Sequence, residues 1–198
     1  MALTIKPIKP AIYEITIKGT SPLIQHKWSN KGLNMLAMTA AERKKQPKVA
    51  RNPKQDTLDA TYFTPDGEYA IPLMAFKAAV ISAAHKDLGI EKTLVRKSLF
   101  IPNEFPGMLA PMVCSDPILR EDIVRVGQNQ TDIRHRPMFE KWSVRIPLQV
   151  DEGNLSLQNV IDLITRAGFS VGIGEWRPEK GGEFGRFEVD TSVEIIVR

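Results

Sequence analysis

The sequence predicts an α+β fold whose elements follow the order βαββαβ. Three observations carry this: short runs in which apolar and polar residues alternate, two runs of helical period set between them, and glycine or proline at their ends. A chain of 198 residues has room for one well-cored domain, residues 1–198.

Residues 12–18 read as the first strand, with Tyr13, Ile15 and Ile17 on one face and Glu14, Thr16 and Lys18 on the other. Gly19, Ser21 and Pro22 end it. Residues 27–60 then form a basic insertion, expected to protrude and to be mobile. Between Lys27 and Lys54, Lys27, Lys31, Arg43, Lys44, Lys45, Lys48, Arg51 and Lys54 are opposed by Glu42 alone, and residues 33–41 could form a short helix. Pro72 suits a first helical turn. Phe76, Val80, Ala83, Ala84 and Leu88 follow at helical spacing up to Gly89, beside His85, which reads as structural.

Residues 93–101 read as a strand, and Pro102, Pro106, Gly107 and Pro111 as an irregular passage. Residues 118–126 are strand-like. Residues 142–150 alternate clearly from Trp142 to Val150, with Pro147 pointing to a bulge or a strand end. Ser156 caps a second helix, Leu155 and Val160 are placed for a hydrophobic staple, and Gly168 reads as its end. Residues 184–189 and 193–197 close the chain as strands. This order matches the split βαβ, or ferredoxin-like (RRM-like), core, with a basic insertion after the first strand and a glycine-rich loop before the last.

The net charge of +4 and a pI near 9.2 make a polyanionic partner admissible. Cys114 is the single cysteine, so neither an internal disulfide nor a cysteine zinc site can form, and a reducing compartment is expected. No secretory signal and no membrane-spanning run is read, which points to the cytoplasm, or to a host's cytoplasm for a viral protein.

The stretch from Gly172 to Val189 is the richest in chemistry. Gly174 and Gly182 would let a phosphate approach main-chain N–H groups that face outward. Arg177, Lys180 and Arg186 add charge, and Trp176 offers a stacking face. Lys180 precedes Gly181 rather than following a glycine, so this is not a P-loop, and Arg177 stands where a dinucleotide fingerprint needs its third glycine. Arg134, His135, Arg136 and Arg145, near Phe139 and Trp142, form a second basic and aromatic group, with a salt-bridged surface involving Asp132 and Glu140 as the alternative.

The glycine stretch resembles the C-terminal loop of the RAMP superfamily, the ferredoxin-like RNA-binding proteins of CRISPR systems. Residues 14–23, Glu-Ile-Thr-Ile-Lys-Gly-Thr-Ser-Pro-Leu, resemble the first strand and its exit in the backbone subunits. Residues 69–80, Tyr-Ala-Ile-Pro-Leu-Met-Ala-Phe-Lys-Ala-Ala-Val, resemble the start of their first helix. Lys77 keeps the family's lysine position there, while Leu73 and Met74 replace its small residues.

The resemblance implies a nucleic-acid-binding, non-enzymatic protein that holds single-stranded RNA or DNA and self-associates, without metal or cofactor, and with stand-alone or phage-encoded relatives. Its expected contacts are Lys44, Lys45, Lys48, Arg51, Lys77, Arg134, Arg136, Gly174, Trp176, Arg177, Lys180, Gly182 and Arg186. Two alternatives stay open: a RAMP-type endoribonuclease using His26 or the pair Asp56 and Asp59, and a protein-binding inhibitor of a CRISPR complex.

Overall fold

The computed structural model describes residues 7–45, 50–126 and 130–198. In chain order the elements are β1 (Pro10–Gly19), β2 (Leu23–Ile24), α1 (Asn30–Ala37), α2 (Ala40–Lys45), α3 (Pro53–Asp59), β3 (Ala70–Pro72) and α4 (Leu73–Leu88). Then come α5 (Lys92–Ser98), β4 (Leu99–Phe100), β5 (Leu109–Cys114), β6 (Ile118–Val126), β7 (Gln130–Phe139), β8 (Trp142–Asp151), α6 (Leu157–Ser170), β9 (Phe187–Val189) and β10 (Ile196–Val197). The fold is α+β with antiparallel sheets.

The main sheet runs β10-β1-β8-β5-β3, with β9 also on β1 and β4 also on β8. β1 and β8 pair along nearly their whole length, with Ile15 opposite Ile146 and Ile17 opposite Val144. Residues 12–18 and 187–189 share this sheet, since Ile17 stands opposite Val189. The face carrying Tyr13, Ile15, Ile17, Ile146 and Leu148 is fully buried. Phe76 and Val80 of α4 and Ile164 of α6 meet it around a small internal void, and the Phe76 and Phe187 rings meet edge to face at 5.3 Å.

Both core helices follow local rules. α4 ends at Gly89 in the left-handed conformation, φ 67°. α6 starts with a capping box in which Ser156 Oγ accepts from Asn159 N and the Asn159 side chain accepts from Ser156 N. Buried Leu155 and Val160 flank that cap.

Four sequence expectations are corrected. Residues 92–98 are helical, because Val95 and Ser98, three apart, are the positions that turn inward. β5 occupies part of the passage read as irregular: Ala110 and Met112 are buried, while exposed Pro111 lies opposite Ala70 of the three-residue strand β3. Pro147 interrupts nothing, because it falls between the segments of β8 that pair with β5 and β4, where no ladder bond needs its N–H. Gly168 lies inside α6, and a β carbon there would stand 1.8 Å from the Phe187 carbonyl oxygen, so glycine sets the close approach of α6 to β9.

β6 and β7 form a second, three-stranded sheet with β2. α3 lies against β7, where Asp56 Oδ2 is 3.2 Å from His135 Nδ1 and Arg51 is paired with Asp132. His85, expected beside the apolar face, is exposed in the last turn of α4. Among the described residues no helix is long and apolar enough to cross a membrane.

Candidate nucleic-acid interface

The exit of β1 is the point at which three distant stretches are tied together. Trp142 Nε1 donates to the Ser21 carbonyl (3.0 Å), and Ser21 Oγ accepts from Arg186 N (2.9 Å). Gly185 N donates to Pro22 O (2.8 Å) and Glu175 N to Ile24 O (3.0 Å). Gln25, buried, donates to Ala70 O (2.8 Å) and accepts from Tyr62 N (3.0 Å). The exit of the first strand, the start of α4 and the glycine loop thus form one hydrogen-bonded unit.

The loop consumes most of its own donors. The N–H groups of Gly172, Ile173, Glu175, Lys180, Gly181, Gly182, Phe184 and Gly185 all donate to main-chain carbonyls of the protein. For these groups, Gly182 among them, the expectation of N–H groups facing outward for phosphate is corrected, and both Gly174 and Gly182 serve close packing. Gly174, at φ 75°, would place a β carbon 2.5 Å from Ile24 O, and one on Gly182 would lie 1.8 Å from Trp176 O. That packing holds Trp176 itself at φ 53°, a left-handed conformation costing about 1–3 kcal/mol in a residue other than glycine. Trp176 is nevertheless 43% exposed.

Beside Trp176 lies an open cleft of about 500 Å³, lined by His26, Val124, Arg125, Arg134, Arg136 and Glu175. One wall is the β6–β7 ribbon, the other the glycine loop, and His26 follows β2 at the floor. Glu175 Oε1 is 3.4 Å from His26 Nδ1, and His26 Nε2 is 3.5 Å from Arg134 Nη1. Arginine only donates, so His26 accepts at Nε2 and presents its Nδ1 hydrogen to Glu175. The hydrogen bond with His26, helped by Arg136 and Arg177, holds the Glu175 carboxyl below its ordinary range. The cleft therefore presents guanidinium groups and an indole to solvent with one internal carboxylate: chemistry for phosphates and a base.

No family model matches the chain, and no curated protein matches it. A chain in the cryo-EM structure of the type III-B Cmr-beta bound to cognate target RNA is similar in structure, with a TM-score of 0.42 and 12% identity over 96% of this chain. The likeness spans 61% of that chain's length.

The sequence-predicted contacts fall into three groups. Arg134, Arg136 and Trp176 meet at the cleft, with Gly174 packed behind it against Ile24, although Arg134 is bound to Asp132 at 2.9 Å and Arg136, 6% exposed, to Asp122 at 3.4 Å. Arg177 and Gly182 build the loop. Arg177 Nη1 donates to Gly174 O (3.1 Å) and Nη2 to Glu179 (3.1 Å). Lys86 (2.8 Å), Ser82 (2.7 Å) and Arg177 together lower the Glu179 carboxyl to about 2. The third group lies away from the cleft lining. Lys77 sits over the Phe100 ring at 4.6 Å, with burial lowering its ammonium. Arg186 lies over Phe169 at 5.0 Å, Arg51 pairs with Asp132 and Asp56, and Lys45 and Lys180 are exposed. Lys48, and the side chain of Lys44, lie outside the described residues.

The second basic and aromatic group is also corrected. Phe139 and Trp142 are buried in the core and cannot stack on a base, and Arg145 pairs with Glu14 on the main sheet. His135 is buried between Asp56 and Glu121, and Asp59 accepts from Gln55. Among the described residues no group of three or more His, Cys, Asp or Glu side chains is placed to hold a metal. Sequence reasoning misses Arg125 and Glu175. Arg125 could be found only from the β6–β7 register, which sets it opposite Thr131 near the end of the ribbon.

Proposed function

We propose that the chain grips single-stranded RNA or DNA without cleaving it, a base stacking on Trp176 while backbone phosphates meet Arg125 and Arg134. The observation that carries this reading is an exposed indole, held in a strained backbone conformation, beside an arginine-lined open cleft. Close packing of Gly182 on the Trp176 backbone sustains the strain while the side chain stays exposed, an arrangement that clusters at ligand sites and supports a binding role. Arg136 and Arg177 act behind the contact surface by holding Glu175 and the loop.

We further propose a RAMP-like, ferredoxin-like lineage. The strand order β9-β1-β8-β5 with α4 and α6 on one face supports it, as does the meeting of the three resembling stretches around Ser21 and Gln25. Self-association along a bound strand belongs to the same proposal.

A ribonuclease reading is favoured by one observation, the carboxylate beside His26 in the cleft. Against it, both ring nitrogens are engaged, so neither is free to take a proton from a 2′-hydroxyl. Incubation with labelled RNA, with and without Mg²⁺, separates the two readings. Gel shifts with RNA, single-stranded DNA and duplex of one sequence are expected to give intact, shifted single strands and a much weaker duplex shift. Cleaved RNA would replace the binding reading with the enzymatic one. No shift with any strand would leave the inhibitor alternative.

A further inference from the structure

We propose that Trp28 is a second base-stacking platform near the cleft, so that an unpaired strand is held at two bases with its backbone passing the arginines between them. This rests on the single-strand reading above and extends it to a residue outside the cleft lining.

The chain has three tryptophans, and they divide cleanly. Trp142 is 3% exposed and its Nε1 is bound to Ser21 O, so it belongs to the core. Trp176 and Trp28 are 43% and 59% exposed. Burying an indole is among the larger single gains available to a fold, so leaving one outside forgoes stability.

Trp28 is nonetheless fixed in place. Before it, Lys27 N donates to Ala60 O (2.9 Å). After it, Ser29 caps α1 by accepting from Gly32 N (3.1 Å). The ring lies along that first turn, with its Cε3 3.6 Å from where a β carbon on Gly32 would stand. A ring held this way loses little freedom when a partner stacks on it.

Its position and surroundings select the partner. His26 lines the cleft, and two residues of chain reach at most about 7 Å, so the Trp28 Cα lies within about that distance of the His26 Cα. The segment that carries it, residues 27–54, holds Lys27, Arg43 and Lys45 exposed against one acid, Glu42, whose carboxylate accepts from Thr39 N and Oγ1, both at 2.8 Å; Asp59, beside the Ala60 carbonyl that Lys27 N reaches, accepts from Gln55. An exposed aromatic face on a segment with an excess of cations fits a base attached to phosphates. Two separate indoles also require bases released from pairing, which a duplex does not offer.

The test measures binding of labelled 12-nucleotide oligo-U and oligo-dT to the parent, Trp28→Ala, Trp28→Phe and Trp176→Ala proteins, with sedimentation of each. Trp28→Ala is expected to weaken binding about fivefold or more with an unchanged melting temperature. Trp28→Phe, which keeps a ring, is expected to stay within about twofold of the parent. In Trp176→Ala the remaining exposed indole emission is expected to be quenched when oligonucleotide saturates the protein. If the parent and Trp176→Ala differ in affinity while Trp28→Ala binds as the parent does, the second platform is overturned and the cleft stands. Loss of an oligomer in Trp28→Ala with unchanged affinity overturns it in favour of a second copy covering the ring. A parent that binds neither oligonucleotide overturns both.

Discussion

The main sheet and the layer built on the β6–β7 ribbon are held by different forces. Between the main sheet and α4 and α6 the contacts are Ile, Leu, Val and Phe side chains with essentially no exposure. Around the ribbon they are ion pairs and polar contacts: Arg51 with Asp132, Arg136 with Asp122, His135 with Asp56, and Glu175 with His26. Apolar burial scales with area and is insensitive to salt, whereas partly exposed ion pairs are weak and screened. The first region supplies stability. The second holds Arg136, Asp122 and His135 buried but leaves Arg125 exposed and Arg134 half-exposed, where a charged ligand can use them.

The largest expected effect breaks the first region. Gly168→Ala places a methyl group against the Phe187 carbonyl where α6 closely approaches β9. The denaturation midpoint is expected to fall by the equivalent of about 2–3 kcal/mol. Folded protein is expected to bind strands as before. A variant as stable as the parent would show that α6 can move off β9 freely.

The next effect concerns the contact joining the two regions. Glu179 of the loop is bound by Lys86 and Ser82 of α4, and its carboxyl lies near 2 instead of the ordinary 4.5. A lowered carboxyl stabilises the fold above its unfolded value, and that contribution fades as pH falls from about 4.5 towards about 2. Glu179→Gln is expected to lose roughly 2 kcal/mol at neutral pH and to show a smaller further loss over that acid window, read by urea titrations at several pH values. Parallel pH curves for the two proteins would contradict the linkage.

Trp176→Gly sharpens the contrast, because stability and binding should move in opposite directions. Removing a side chain from φ 53° relieves about 1 kcal/mol of strain and raises the melting temperature slightly. The same change removes the stacking face. A fall in both stability and affinity would assign Trp176 a packing role instead.

The smallest effect concerns the basic insertion. Neutralising Arg43, Lys44, Lys45 and Lys48 together is expected to weaken binding equally for all sequences and to flatten its salt dependence, by about 0.7 in slope for each phosphate that is no longer neutralised. Arg43 contributes least, since its guanidinium is bound to the Leu36 and Met38 carbonyls. An unchanged slope would make the segment a solvated surface.

The part of this picture legible in the sequence is the part governed by local rules. Alternation marks β1 and β8, helical period marks α4 and α6, and Ser156 and Gly89 mark helix ends. The rest depends on residues far apart in the chain. β5 is hidden because Pro111 reads as a breaker until its place beside short β3 is known. Residues 92–98 carry β-branched residues, and only packing on α4 turns them helical. The cleft is half legible. Trp176 and Arg134 stand out by residue type, but no local signal places them on opposite walls of one opening. Gly182 reads as space for a phosphate, whereas it is space for the Trp176 backbone.

That the cleft holds an unpaired strand through Trp176 is tested most directly by fluorescence anisotropy of one labelled sequence, single-stranded or as duplex, with the parent, Trp176→Ala and Arg177→Ala. The parent is expected to bind the single strand at least about tenfold more tightly than the duplex. Trp176→Ala should weaken binding about tenfold with an unchanged melting temperature, within the range of a single base–aromatic stack. Arg177→Ala should lower stability together with affinity, since its guanidinium holds Gly174 and Glu179. Equal single-strand affinity in the parent and Trp176→Ala would contradict a binding role for the cleft.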